Sequence, residues 1–292
     1  MLFLLPIVAV ATASPVERVI LIGDMVPAQI NGAPVRMRVD PAGTALPLID
    51  DAAAARIGLK PSMIGIGYAV GPQKVFGRTA VARIDLGGGA IRHRIGFTPH
   101  RYAEAAEGTV GPAGLPDERV RFPLRAPLPN ERTVTLPMGD QGGLVAPWGE
   151  RFAVVLVGGA PMRVRFDPYH RRTLATAGAA ARLAAAYKGV MTGSAGTAEI
   201  AFGVERPVRD MSLGAPLQIG PLSVSRLGVR TSDFGSAKGL PEDRGDPDEL
   251  VIAAKRKHDP NADRINIGSD LLDRCSSILF DNVRKLIALT CA

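Results

Sequence analysis

The chain has 292 residues, a formal charge of +7, and 46% hydrophobic against 22% charged residues. That balance excludes a disordered chain and leaves ample material for a packed core. The basic excess does not point to nucleic acid, because the arginines are mostly scattered and the one dense run, Lys255-Arg256-Lys257-His258, has no interleaved aromatics and reads as a solvated loop.

Aromatics are scarce at 5%, whereas Gly (33) and Pro (24) are plentiful. Many short strands joined by turns are therefore expected rather than long helices. The chain opens with an apolar run, Met1 to Val10, ending in Ala11-Thr12-Ala13. Residues 1–13 read as a secretory leader cut after Ala13; the run lacks a Lys or Arg before it, and an uncleaved anchor or a mis-assigned start are the other readings. No later segment holds the roughly 20 uninterrupted apolar residues of a helical span. No stable membrane span is expected, and the mature chain is placed in the periplasm or outside the cell.

Further along, Arg36-Met37-Arg38-Val39-Asp40 alternates polar and apolar residues. Such a strand sets Arg36, Arg38 and Asp40 on one face and Met37 and Val39 on the other. Asp51 to Ile57 reads as a short helix with acidic residues at its start. Ile66 to Gln73 reads as a hairpin, and Ala80 to Leu86 as a strand before Gly87-Gly88-Gly89. Residues 126–150 carry Pro127, Pro129, Pro137 and Pro147 and read as a linker holding one strand, Thr133–Leu136. Ala177 to Tyr187 reads as a second helix, ending at Gly189. Near the end, Cys275–Phe280 and Lys285–Cys291 read as two strands about a loop at 282–284. That register puts Cys275 opposite Cys291, and an exported chain favours a disulfide there over two free thiols.

Sliding the sequence along itself exposes a duplication. Gly32-Ala33-Pro34-Val35-Arg36-Met37-Arg38-Val39-Asp40-Pro41 matches residues 159–168, Gly-Ala-Pro-Met-Arg-Val-Arg-Phe-Asp-Pro, at seven of ten positions. Ala53–Ile57 then parallels Ala179–Leu183, and Ile84–Gly87 parallels Leu217–Gly220, in the same order. Two related lobes are expected, residues 16–125 and 151–292, joined by 126–150.

These segments resemble the aspartic peptidases, in particular the retropepsin-like group of bacterial exported proteins. Ile30-Asn31-Gly32 to Asp40 is similar to that family's strand into its catalytic aspartate, and Ala53 to Leu59 to the segment that follows. Thr109 to Leu115 and Ile265 to Leu272 are similar to its closing strands. The resemblance implies an all-β, bilobal, acid-protease-like barrel fold. It implies peptide-bond hydrolysis without a cofactor, a polypeptide substrate or peptide ligand, and a monomer, since one chain supplies both acids. Asp40 and Asp167 would be the catalytic pair. Gly43, Thr44, Gly67 and Tyr68 would line the substrate, with Ile66–Gln73 either a flap or an ordinary surface hairpin; the other flap is harder to place, and the loop-like Met191–Thr197 is its candidate.

The family's Asp-Thr/Ser-Gly turn is not kept. This chain has Asp40-Pro41-Ala42-Gly43-Thr44 and Asp167-Pro168-Tyr169-His170-Arg171-Arg172. Proline removes an N–H at each turn, and Arg171 and Arg172 would favour two ionised aspartates over a shared proton. A degenerate relative that binds peptides or a protein partner between the lobes is the alternative. Other chemistries lack their motifs: His93, His100, His170 and His258 have no zinc spacing, and no GxSxG or nucleotide loop occurs. His170, beside the second aspartate, reads as exposed and incidental, with tuning of the local pKa as the other reading.

Overall fold

The computed structural model describes residues 17–103, 105–142, 148–233, 240 and 260–292. The expected leader and the Lys255–His258 run lie outside these. In chain order the first half supplies β1 (Glu17–Val19), β2 (Met25–Ile30), β3 (Ala33–Val39), β4 (Leu48–Asp50), α1 (Asp51–Ile57), β5 (Gly65–Val70), β6 (Gln73–Asp85), β7 (Ile91–Thr98), β8 (Gly108–Val110) and β9 (Arg119–Pro123). After β10 (Arg132–Asp140) come β11 (Arg151–Val157), β12 (Ala160–Phe166), β13 (Leu174–Thr176), α2 (Ala177–Tyr187), β14 (Val190–Ala201), β15 (Val204–Ile219) and β16 (Leu222–Arg230). The chain closes with β17 (Arg264–Ile267), α3 (Ser269–Leu272), β18 (Cys275–Asp281) and β19 (Leu286–Cys291). The fold is all-β in class, as expected.

Alternation drives the first sheet. Along β2 and β3, Val26, Ala28, Ile30, Val35, Met37 and Val39 are buried, while Pro27, Gln29, Pro34 and Arg36 face outward, the period of a half-buried strand. The sheet runs β2-β3-β8-β4-β7-β6-β5, and a further pairing of β2 with β6 closes its first six strands into a barrel. Ile49, Ile84, Ile95 and Phe97 are buried with that set. Closure removes the barrel's free edges and leaves β5 outside. The second sheet has twelve strands, in the order β1-β9-β18-β19-β10-β11-β12-β17-β13-β16-β15-β14. Strand β10 falls inside the proline-rich linker and is longer than the four residues expected.

The repeat shows in topology. In the first half β3 runs parallel to β8, β8 antiparallel to β4, and β4 parallel to β7. In the second half β12 pairs with β17, β17 with β13 and β13 with β16 in the same three senses. Gly111 and Gly268 follow the crossing strands β8 and β17. A Cβ on Gly111 would lie 2.2 Å from the Gly43 carbonyl oxygen, and one on Gly268 would lie 2.6 Å from the Arg172 carbonyl carbon. Only glycine admits so close an approach.

Both helices fall where the sequence puts them. The Asp50 carboxylate accepts from the Ala53 N–H at 2.7 Å, and the Thr176 hydroxyl oxygen from the Ala179 N–H at 3.4 Å, satisfying first-turn amides. None of the helices among the described residues is long and apolar enough to cross a membrane.

The C-terminal hairpin forms with a corrected register. Asp281 pairs with Leu286, not Lys285, so the loop has one more residue than expected, and Lys285 takes a left-handed φ of 55°. That shift alone would put Cys275 out of step with Cys291. An irregularity between Cys275 and Ser277 restores the pairing, and the two sulfurs are bonded. The bridge spans 16 residues in sequence, a loop whose closure contributes about 3 kcal/mol in the chain-entropy account. Replacing both cysteines by serine should lower the unfolding free energy by about 2–4 kcal/mol in urea denaturation; an unchanged midpoint would deny the bridge that role.

Candidate active site

Asp40 and Asp167 each stand one residue beyond a strand, at β3 and β12. Each backbone N–H continues the ladder onto the crossing strand, Asp40 to the Val110 carbonyl at 2.9 Å and Asp167 to the Ile267 carbonyl at 2.8 Å. The two side chains are buried, at 1% and 5% exposure, and near enough for the charge of one to act on the other.

Two buried carboxylates demand countercharge, and the duplicated strand carries it. Two residues before each aspartate, on the same strand face, stands an arginine: Arg38 and Arg165. Arg38 Nη2 donates to Asp40 Oδ2 at 3.2 Å. Arg165 pairs with Glu150 at 3.2 Å and donates across the halves to the Ala42 carbonyl. Asp40 Oδ1 accepts from the Ala42 N–H at 2.8 Å. In the second turn His170 Nδ1 lies 2.8 Å from Asp167 Oδ2.

Burial first, then the charge of Asp167, pushes the Asp40 carboxyl above the usual carboxylate range, against Arg38, the Ala42 amide and Arg165. Burial also acts upward on Asp167, but the hydrogen bond and charge of His170, with Arg165 and Arg38, hold its carboxyl below that range. The hydrogen bond to Asp167 raises His170 in turn, against burial, helped by the charges of Asp167, Asp40 and Glu199. The pair is therefore split, with Asp167 the acid held ionised and Asp40 the one that keeps its proton to higher pH.

Several expectations are corrected here. Arg171 is exposed, and Arg172 pairs with Asp210; the cations at the acid pair are Arg38, Arg165 and His170. His170 is neither incidental nor free. Thr44, not among the corrected positions, donates to the Leu46 carbonyl at 3.0 Å and lies 3.2 Å from the Tyr68 hydroxyl, linking the first turn to β5. Arg165 and Tyr169 add side-chain ties between the halves to the pairing of β9 with β18. The Tyr169 hydroxyl donates to the Val39 carbonyl at 3.3 Å and accepts from the Gly23 N–H at 3.3 Å, and its ring lies under Arg38 at 3.9 Å. Gly43 keeps the first turn tight, its N–H donating to the Asp40 carbonyl at 2.8 Å.

The expected first flap is the β5–β6 hairpin, turning at Gly71-Pro72. Gly67 and Tyr68 lie on β5, and burial pushes the Tyr68 hydroxyl up to about 12. The expected second flap, Met191–Thr197, is strand rather than loop; it lies in β14, and the matching hairpin tip is Phe202-Gly203, between β14 and β15. Phe202 is buried between Tyr68 and Tyr102 of the first half, with ring centroids 5.2 and 5.1 Å away. In the other direction, a Cβ on Gly71 would lie 2.6 Å from Asp233 Oδ1. Each tip thus reaches the opposite half.

Two cavities flank β5. One, of about 370 Å³, is polar and includes Thr44, Gly67, Tyr68, Glu150, Arg163 and Arg264 in its lining. The other, of about 460 Å³, is apolar and includes Leu46, Ile64, Ile66, Tyr68 and Trp148. Neither is lined by Asp40 or Asp167. No cluster of His, Cys, Asp and Glu suited to a metal occurs among the described residues.

No family model matches the chain, and no curated protein matches it. Among solved structures it is similar to the retroviral protease-like domain of Ddi1 from Leishmania major. The two are 23% identical, with a TM-score of 0.24, over 31% of this chain and 74% of that one. A likeness at that level establishes neither family nor activity.

Two outcomes follow from the charge arrangement. Arg165→Met removes the ion-pair partner of Glu150 and one of the three cations at the acid pair, so the unfolding free energy should fall by about 3–5 kcal/mol; a urea midpoint equal to the parent's would contradict the arrangement. His170 has a raised folded-state pKa, so its stabilising contribution is complete below its ordinary value of 6.5 and is lost as pH climbs through the raised one. The stability difference between the parent and His170→Gln should accordingly shrink over that rise, as followed by thermal melts at stepped pH.

Proposed function

We propose that this chain is an exported aspartic-peptidase-like hydrolase that cleaves polypeptides with Asp40 and Asp167 and uses no cofactor. The observation that carries the reading is the split pair: two buried carboxylates from equivalent ends of duplicated strands, one pushed up and the other held down. Hydrolysis of an amide needs that division. Asp167, ionised, takes a proton from a water as its oxygen attacks the scissile carbonyl. Asp40, protonated, donates a hydrogen bond to the carbonyl oxygen and stabilises the charge that develops there. Collapse of the tetrahedral intermediate transfers a proton to the departing nitrogen and breaks the C–N bond, releasing acid and amine. In this reading residues 16–125 and 151–292 are two lobes joined by 126–150, and the chain acts as a monomer. The Cys275–Cys291 bridge suits an oxidising compartment, periplasmic or secreted. Phe202 and the flap tips must lift to admit a substrate.

A second reading is favoured by one feature. Phe202 fills the space between Tyr68 and Tyr102, and each acid already has a cation, which suits a degenerate relative that holds a peptide or partner without cleaving it. Turnover separates the two. With an unfolded protein as substrate at mildly acid pH, the parent should cleave, and Asp40→Asn and Asp167→Asn should each lower the rate by at least about 10²–10⁴-fold. Peptide binding that survives in all three proteins, with no cleavage by any, would establish the second reading in place of the first.

A further inference from the structure

The two turns solve one problem in different ways. Pro41 and Pro168 each remove the amide that follows the aspartate. In the first turn the next amide, Ala42 N–H, reaches back to Asp40 Oδ1 at 2.8 Å. In the second, among the described residues, no amide donates to the Asp167 carboxylate, and its Oδ1 is buried without a hydrogen-bond partner. Tyr169, at the position of Ala42, sends its side chain across to Val39 and Gly23 instead. The ring of His170, which stands at the place of Gly43, supplies the missing donor at 2.8 Å.

Its backbone is held for that task. The His170 N–H donates to the Asp167 carbonyl at 3.2 Å, a wider turn than the 2.8 Å closure at Gly43, and the His170 carbonyl accepts from the Ser269 N–H at 2.9 Å. In the first half a Cβ at Gly43 would lie 3.0 Å from the Asp40 carbonyl oxygen and 3.1 Å from the Gly111 nitrogen, so the equivalent place there is crowded. Unlike the acids, the ring is partly open to solvent, at 30% side-chain exposure, so it exchanges protons with the medium.

We infer that His170 is the positioning residue of the second aspartate, fixing Asp167 as the ionised member of the pair by donating Nδ1–H to its Oδ2. The inference rests on the peptidase reading for its kinetic consequence but not for its geometry. The charged groups around the ring are Asp167 in its own turn, Asp40 from the first turn and Glu199 from β14, all of which favour imidazolium. Arg38 and Arg165 act beside it on Asp167. Losing the imidazolium therefore lets the Asp167 carboxyl titrate at higher pH.

The test uses His170→Gln, which keeps a donor and drops the charge, and His170→Ala, which drops both. The acid limb of kcat/KM, set by ionisation of Asp167, should move to higher pH by about one unit or more in the alanine variant and by less in the glutamine variant. A purely structural role would lower the rate or the stability and leave that limb in place. Independently of turnover, the ring's own titration is followed by NMR, its signal identified by its absence in His170→Gln. The midpoint should lie above 6.5 in the parent and fall in Asp167→Asn. An unshifted acid limb, or a parent midpoint that Asp167→Asn leaves alone, overturns the inference. A parent that cleaves nothing while its ring still titrates high and responds to Asp167→Asn sinks the peptidase reading and leaves the positioning role standing.

Discussion

Two buried carboxylates, near enough for the charge of one to act on the other, are the constraint to which the rest of this structure answers. Out of water, each needs a partner charge or a proton, and their mutual repulsion makes one of them keep the proton. The fold supplies the cations from the same strands that deliver the acids, because residues two apart on a strand share a face. Arg38 and Arg165 are the consequence, one pairing with its own aspartate and the other reaching across to the Ala42 carbonyl and Glu150. The tie between the halves and the neutralisation of the acids are therefore one network.

Duplication set up this network symmetrically, and divergence then split it. The crossing strands and their glycines are still equivalent, since any side chain at Gly111 or Gly268 would collide with the turn it passes. The turns are not. One uses a backbone amide and a tight closure at Gly43; the other uses an imidazole and a wider closure. An acid served by a neutral amide and an arginine, and another served by a titratable ring, cannot have the same proton affinity. The split in the pair is a product of that divergence as much as of repulsion.

The two hairpins show the same history. Both turn in two residues at the same place in the repeat, yet Gly71-Pro72 carries no large side chain, whereas Phe202 does. Phe202 closes an aromatic cluster with Tyr68 and Tyr102 over the junction. Burial of such a side chain contributes about 1.5–3 kcal/mol to holding this tip against the opposite half.

Much of the fold was legible in the residues because it rests on local rules. Polar–apolar alternation marked β3, Ala-rich stretches marked α1 and α2, and matched decapeptides announced β3, β12 and the aspartates that follow them. The same alternation put Arg38 on the face of Asp40, but it did not say that Arg38, or Arg165 in the second half, would be the cation serving the acids. The second hairpin was misread because Gly193, Ser194 and Gly196 are turn formers, yet pairing with β15 across an irregularity at Thr192–Gly196 overrides that preference and carries the strand on to Ala201. The disulfide was anticipated through a register one residue off, because the loop is longer and a compensating bulge cannot be seen in composition.

What the sequence determined alone was the repeat, the β class, the pairing of one aspartate with each half and the cysteine pair, all consequences of short-range pattern. Which cations serve the acids, that His170 and not Arg171 or Arg172 meets Asp167, and that Phe202 seals the junction were decided only in three dimensions. Those are contacts between residues far apart in the chain or turned by a widened loop, and no local preference encodes the direction in which a side chain leaves such a turn.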